Sequence, residues 1–173
     1  MSYIASVDPG KHACGVAVWM APNSSQGIYQ LLWAGYVKNP FKSEPGKERA
    51  ERWGDMARMI AGVLGRWKEW GVSLVLEIPK VYPGIHDEDP NDLIDLAGVQ
   101  GAIVGATGFP VEWSPLPQEW KGQLPKEVSE RRVESKLQPE EKKRIEWPAK
   151  RLCHNVYDAL HLGLVHLERE GLR

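Results

Sequence analysis

The run VSLVLEI, residues 72–78, is apolar at all but two of its seven positions and is bounded by Gly71 and Pro79. A short apolar run between turn residues reads as a strand buried in the middle of a parallel sheet. Such a strand needs helices to cover it, so the chain belongs among the α/β folds. Its polar residue near the far end is Glu77.

The segments around this strand are read in the same way. Ser2–Val7, Gly15–Met20 and Ile28–Val37 are three successive strands with short connections, an antiparallel meander. Trp53, Met56, Ile60, Val63, Leu64 and Trp67 recur at helical spacing, which predicts an amphipathic helix over Arg49–Trp70, ended by Gly71. Asp89 followed by Pro90 is a helix start, and Leu93, Leu96, Ala97 and Val104 carry that helix to about Ala106. Within it Gly98, Gly101 and Gly105 suggest close packing against another element. FPVEWSP, residues 109–115, is a short fifth strand. Charged helices broken near Pro139 follow, and Pro148 opens a last helix running to about Glu170. The expectation is one domain over residues 1–173. Its core is a mixed five-stranded sheet, three antiparallel strands and then two parallel, flanked by helices.

Composition excludes some classes. The 173 residues are 42% hydrophobic and 26% charged, with no apolar run of the roughly 20 residues that spans a membrane. The start, MSYIASVDPG, lacks the basic and apolar regions of a secretory signal. Cys14 and Cys153 make no disulfide framework and no zinc-finger spacing, which suits a reducing cytoplasm. The net charge of −1 gives no global attraction to nucleic acid, but Trp120–Arg151 holds ten Lys/Arg against six Asp/Glu, +4 locally. That segment is either a solvated helix face or a basic contact surface.

Asp8 ends the first strand as Glu77 ends the fourth, and the last helix contributes CHNVYDALHLGL, residues 153–164. If the first and fourth strands are neighbours, their carboxylates converge at one edge. His154 lies about 40° and Asn155 about 60° from Asp158 around the helix, at roughly 100° per residue. Asp158 stands in an otherwise apolar stretch, where an acid is costly unless compensated. Each acid alone has an ordinary explanation: a turn cap for Asp8, a lysine partner for Glu77, partial exposure for Asp158. Taken together they favour one shared site. Carboxylates with an imidazole or amide suit magnesium or manganese, and two such ions can activate water and stabilise the leaving oxygen of a phosphodiester.

The ordered motifs IASVDPGKHACGVAVW, LVLEIP, PVEWSPLPQEWKGQLPKEV and YDALHLGLVHL together resemble the RuvC branch of the ribonuclease H-like superfamily. VYPG, DPNDLIDLA and WKGQLPK look closest to its phage or prophage members. The resemblance implies a ribonuclease H-like fold and a homodimer that resolves four-way DNA junctions by paired nicks, using two Mg2+ or Mn2+ ions. It makes Asp8, Glu77 and Asp158 metal ligands. The position three before Asp158, where the family has a fourth ligand, is Asn155, a neutral and weaker donor. His154 beside it is chemically better, and both are kept. Lys121 is a catalytic candidate for charge at the scissile phosphate; Lys80, Lys121 and Lys126 are candidates for phosphate contact. Tyr82 is a candidate for stacking on junction bases. Trp53, Trp67 and Trp70, with the glycine face of the second helix, are either dimer interface or core.

Three other readings compete. An actin-like or sugar-kinase ATPase begins similarly but needs a second domain for which 173 residues leave no room. A non-catalytic junction-binding protein on the same fold would explain Asn155. Another nuclease of the superfamily would act on flaps or RNA.

Overall fold

The computed structural model describes residues 2–10, 12–22, 27–39, 48–80 and 90–173. Strands β1 (Tyr3–Asp8), β2 (Ala13–Met20) and β3 (Gln30–Lys38) form the antiparallel meander. Helix α1 (Arg49–Leu64) leads through a 3-10 segment (Gly65–Trp70) to β4 (Val72–Leu76). Helix α2 (Pro90–Thr107) leads to β5 (Val111–Trp113). Then come α3 (Pro117–Trp120), α4 (Lys126–Lys136), α5 (Pro139–Lys142), β6 (Ile145–Glu146), a 3-10 turn (Lys150–Leu152) and α6 (Cys153–Arg169). The sheet order is β5-β4-β1-β2-β3-β6.

The sheet has six strands rather than the expected five. The additional one, β6, is two residues long and pairs parallel with the outer edge of β3. It lies between charged helices, where so short a run carries no pattern. The helix expected over Arg49–Trp70 is α-helical only to Leu64; its last turn tightens to 3-10 and Gly71 closes it at φ 72°, a left-handed conformation suited to glycine. Likewise Pro148 does not open α6 directly, because the 3-10 turn intervenes.

Strand periodicity decides which face each side chain meets. Tyr3, Ala5 and Val7 of β1, with Val72, Leu74 and Leu76 of β4, are buried among Met56, Ile60 and Leu64 of α1 and Val99 and Ile103 of α2. Ile4 of β1 and Val75 of β4 are buried on the opposite face with Leu160, Leu162 and Leu164 of α6 and Val133 of α4. By the same alternation Asp8 and Glu77 belong to the α6 face.

A buried polar clamp joins α6 to that face. The Trp19 indole N–H donates to Ser6 Oγ at 3.1 Å, and Ser6 O–H donates to the Ala159 carbonyl at 2.8 Å. The helix can sit this close because of two glycines. A Cβ on Gly163 would fall 2.3 Å from Trp19 Nε1, and one on Gly15 would fall 1.8 Å from the Asn155 carbonyl oxygen. A second clamp holds Arg173, whose guanidinium donates to both carboxylate oxygens of Glu141 at 2.8 and 2.6 Å and to the Tyr29 carbonyl at 2.8 Å.

Two stability outcomes follow. Ser6→Ala strands the buried Trp19 N–H and costs about 1–3 kcal/mol in a denaturant titration. Arg173→Ala leaves the buried Glu141 carboxylate with its two backbone N–H donors but no counter-charge, a loss of up to about 3–5 kcal/mol; an unchanged midpoint for that variant would show that the pair adds nothing.

Candidate active site

The β1–β4 pairing that would bring Asp8 and Glu77 together is present. The strands are parallel neighbours, with Val7 opposite Leu76 as the last registered pair. Asp8 and Glu77 are each the next residue, on the same face and at the same end of the sheet. On the other side of β1, Asp8 pairs with Gly15 of β2. The Gly15 contact with the Asn155 carbonyl presses the first half of α6 onto this point, which places Asp158 over the strand ends.

The side chains there form one electrostatic group. Burial pushes the Asp8 carboxyl well above its usual range, and the charges of Asp158 and then Glu77 push it further, while Lys121 draws it back. Glu77 is raised as well: burial is the main cause and Asp158 adds to it, against the Trp120 hydrogen bond and the Lys121 charge. Lys121 Nζ donates to Asp158 Oδ2 at 2.7 Å, and the Trp120 indole N–H donates to Glu77 Oε2 at 2.7 Å.

Trp120 was not visible as a site residue in the sequence, although it stands next to Lys121. It is buried at the end of α3 and meets His161 edge-on, with ring centroids 5.4 Å apart. His161 Nδ1 lies 2.7 Å from Ser129 Oγ. Burial, opposed by Asp158, lowers the His161 imidazole to about 4, so it is neutral at pH 7. His161 is three residues after Asp158, the only hint of this support that the sequence offered.

His154 and Asn155 line a cavity on the Gly10 side of Asp8. His154 Nδ1 lies 3.2 Å from the Arg151 carbonyl, and the Asn155 amide donates weakly to the Leu152 carbonyl at 3.5 Å. Lys80 Nζ donates to Gln118 Oε1 at 2.6 Å, linking the segment after β4 to α3. Lys126 sits at the start of α4, 4.0 Å from Glu130. Tyr82 lies outside the described residues. The three tryptophans have partners within the chain. Trp53 lies against Gly98, where a Cβ would fall 2.4 Å from its ring, and its N–H donates to Asp95. Trp67 meets Trp33, and Trp70 stacks on Tyr3 at 5.5 Å while remaining half exposed. Among the described residues nothing lies within 4 Å of a Cβ placed on Gly101 or Gly105.

The donor set fits a hard divalent cation. Three carboxylates face one ammonium group, which leaves two formal negative charges when all are ionised. Among the described residues no three His, Cys, Asp or Glu side chains stand close enough to form a metal-ligand group. The three carboxylates act on one another through their charges, with Lys121 as the cation that offsets them.

No protein-family model matches the chain, and no curated protein matches it. Solved structures do. RuvC of T. thermophilus in complex with a Holliday junction substrate aligns with TM-score 0.66 and 23% identity, covering 98% of this chain and 97% of that one. Another T. thermophilus RuvC structure aligns at 0.62 with 22% identity over the same shares. The yeast mitochondrial Holliday junction resolvase aligns at 0.56 with 10% identity, covering 98% of this chain and 82% of that one. The class is therefore a mixed α/β, ribonuclease H-like fold. Within that class the likeness is to the RuvC type, in which this chain's architecture is matched almost end to end. Among the described residues no helix is long and apolar enough to cross a membrane.

An uncompensated carboxylate cluster is a stability cost. Asp8→Asn removes one of the mutually repelling charges and raises stability in metal-free buffer by about 0.5–2 kcal/mol. A melting point at or below that of the unaltered protein in EDTA would show that the cluster is not strained.

Proposed function

We propose that this chain is a divalent-metal-dependent endonuclease that resolves four-way DNA junctions by paired symmetric nicks, acting as a homodimer. One observation carries the reading: Asp8, Glu77 and Asp158 share one field, with Lys121 as the nearby cation, at the strand ends of a RuvC-type fold. Asp8, Glu77 and Asp158 would hold the metal, with His154 or Asn155 as the additional donor. Mg2+ or Mn2+, two ions per site, would supply an activated water and charge stabilisation at the leaving oxygen.

The rest of the work falls to the chain. The Trp120 N–H fixes one oxygen of Glu77 and so orients that carboxylate. Lys121 neutralises Asp158 in the absence of a cation. The Lys121 ammonium would also stabilise charge on a scissile phosphate bound at this site. Its side chain is about 29% exposed, enough to reach a bound strand. Lys80 and Lys126 would contact flanking phosphates, where they position DNA without reading sequence. Tyr82 would stack on an unpaired base.

Two measurements test this. In a thermal-shift titration, Mg2+ or Mn2+ at about 100 times its dissociation constant stabilises the protein by about 2.7 kcal/mol, and Asp8→Asn loses most of that shift. With labelled four-way junction, duplex and RNA–DNA hybrid, paired nicks arise on the junction alone and only with the metal. Lys121→Met lowers that rate about 100–1,000-fold. Junction binding without cutting in any metal would favour the non-catalytic reading, and equal cutting of hybrid or flap would favour a broader nuclease.

A further inference from the structure

Trp120 is buried at the end of α3, and a buried indole N–H needs an acceptor. Any backbone carbonyl would serve. Here the acceptor is a candidate metal ligand, Glu77 Oε2, at 2.7 Å. The bond is short and charge-assisted, so Oε2 is strongly engaged and has the indole beside it. Glu77 Oε1 accepts no hydrogen bond among the described residues. One oxygen of this carboxylate is taken and the other is open.

The ring that does this is itself held. Lys121 Nζ stands 5.5 Å from the Trp120 ring centroid while donating to Asp158 Oδ2. The indole is thus tied to Glu77 directly and to Asp158 through the lysine. His161 meets it edge-on, with the ring planes 76° apart. The χ2 torsion of an imidazole is broad, but this ring has a tether: its Nδ1 lies 2.7 Å from Ser129 Oγ. The Ser129 hydroxyl has no other side-chain partner among the described residues, and a buried hydroxyl proton is normally used. The hydroxyl therefore donates to Nδ1, and the ring proton sits on Nε2. Replacing both members of such a pair by apolar groups of the same shape is nearly neutral for stability. What the pair contributes is direction, the angle at which His161 supports the indole.

A carboxylate limited to one open oxygen suits some cations better than others. Mg2+ demands near-ideal octahedral geometry, keeps several waters and takes one or two carboxylates. Ca2+ takes about 6–8 oxygens and often uses both oxygens of a carboxylate.

We infer that Trp120 is a specificity-determining residue for the metal: by engaging Oε2 it leaves Glu77 a single oxygen to offer, and so favours Mg2+ over Ca2+. His161 and Ser129 are positioning residues that act through the indole. The inference rests on the metal-dependent nuclease reading and adds which ion the site accepts and what decides it.

The test reads binding rather than cutting. Dissociation constants for Mg2+ and Ca2+ are measured by calorimetry on metal-free protein, with denaturant midpoints in EDTA alongside. The unaltered protein binds Mg2+ more tightly than Ca2+. Removing a hydrogen-bond partner of a metal ligand changes affinity about 10–100-fold, and in Trp120→Phe the ratio of the two Kd values moves toward Ca2+ by about tenfold. His161→Leu, which keeps the indole, moves the ratio the same way by a smaller factor, and it decides the matter alone should Trp120→Phe not fold. A shift in Trp120→Phe only would remove His161 and Ser129 from the role. If the unaltered protein binds neither ion, the metal-dependent nuclease reading itself fails. If it binds Ca2+ as tightly as Mg2+, or if Trp120→Phe loses stability but keeps the ratio, Trp120 only packs α3, and this inference alone is overturned.

Discussion

The close approach of α6 to β1 and β2 is the constraint on which the rest of this structure depends. Two glycines permit it and one serine fastens it. Gly15 lets the Asn155 backbone lie directly on β2, and Gly163 lets the helix pass over Trp19 and Ser6. The Ser6 hydroxyl then bridges a strand, an indole and the helix in one buried network. A residue larger than glycine at either contact would lift the helix by a fraction of its own radius. Asp158 would move with it, whereas Asp8 and Glu77, fixed by the sheet, would not. The placement of the third carboxylate is thus a packing result before it is an electrostatic one.

Glu141 and Asp8 are carboxylates with opposite fates. Burial alone would raise Glu141, but Arg173 and the backbone N–H groups of Gln138 and Leu31 outweigh it and hold its pKa below the usual value. That carboxylate is finished: every oxygen has its donor. Asp8 is raised by burial, and its nearest charged company is mostly of its own sign. Glu141 is satisfied completely, whereas Asp8 stays in deficit where β1, β4 and α6 come together. Deficits of this kind concentrate at functional sites, where a ligand makes up the difference.

Much of this was legible in the sequence because it follows from periodicity. The apolar run at 72–76 fixed β4 as an interior strand, and the alternation in β1 put Asp8 on the even-numbered face. Strand adjacency made the two acids neighbours. What escaped has a physical cause in each case. β6 is two residues long, too short to show any period. The roles of Trp53 and Trp67 depend on which surface a helix packs against, since a glycine at 98 accepts an indole only when α1 lies there. The sequence likewise showed Trp120 as an aromatic residue near a lysine, not as the donor to Glu77, because 43 positions separate that pair.

Helix α6 divides its work by turn, which sets the His154 and Asn155 side chains apart from Asp158 along the axis. Asp158 faces the strand ends, and one turn later His161 braces Trp120 from inside the core. One turn earlier, the Asn155 backbone rests on Gly15 of β2, and the His154 and Asn155 side chains line the cavity beside the β1–β2 turn. Angles of about 40° and 60° around the axis are small, but a full turn also carries a residue about 5.4 Å along it. At the end of a sheet that axial step is the difference between facing the strand tips and facing the space beyond them. Sequence spacing reports the angle well and the axial step only once the strand ends are known. The face of α6 that carries Asp158 and the cavity wall are therefore neighbours on one helix, and a shift of the helix moves both.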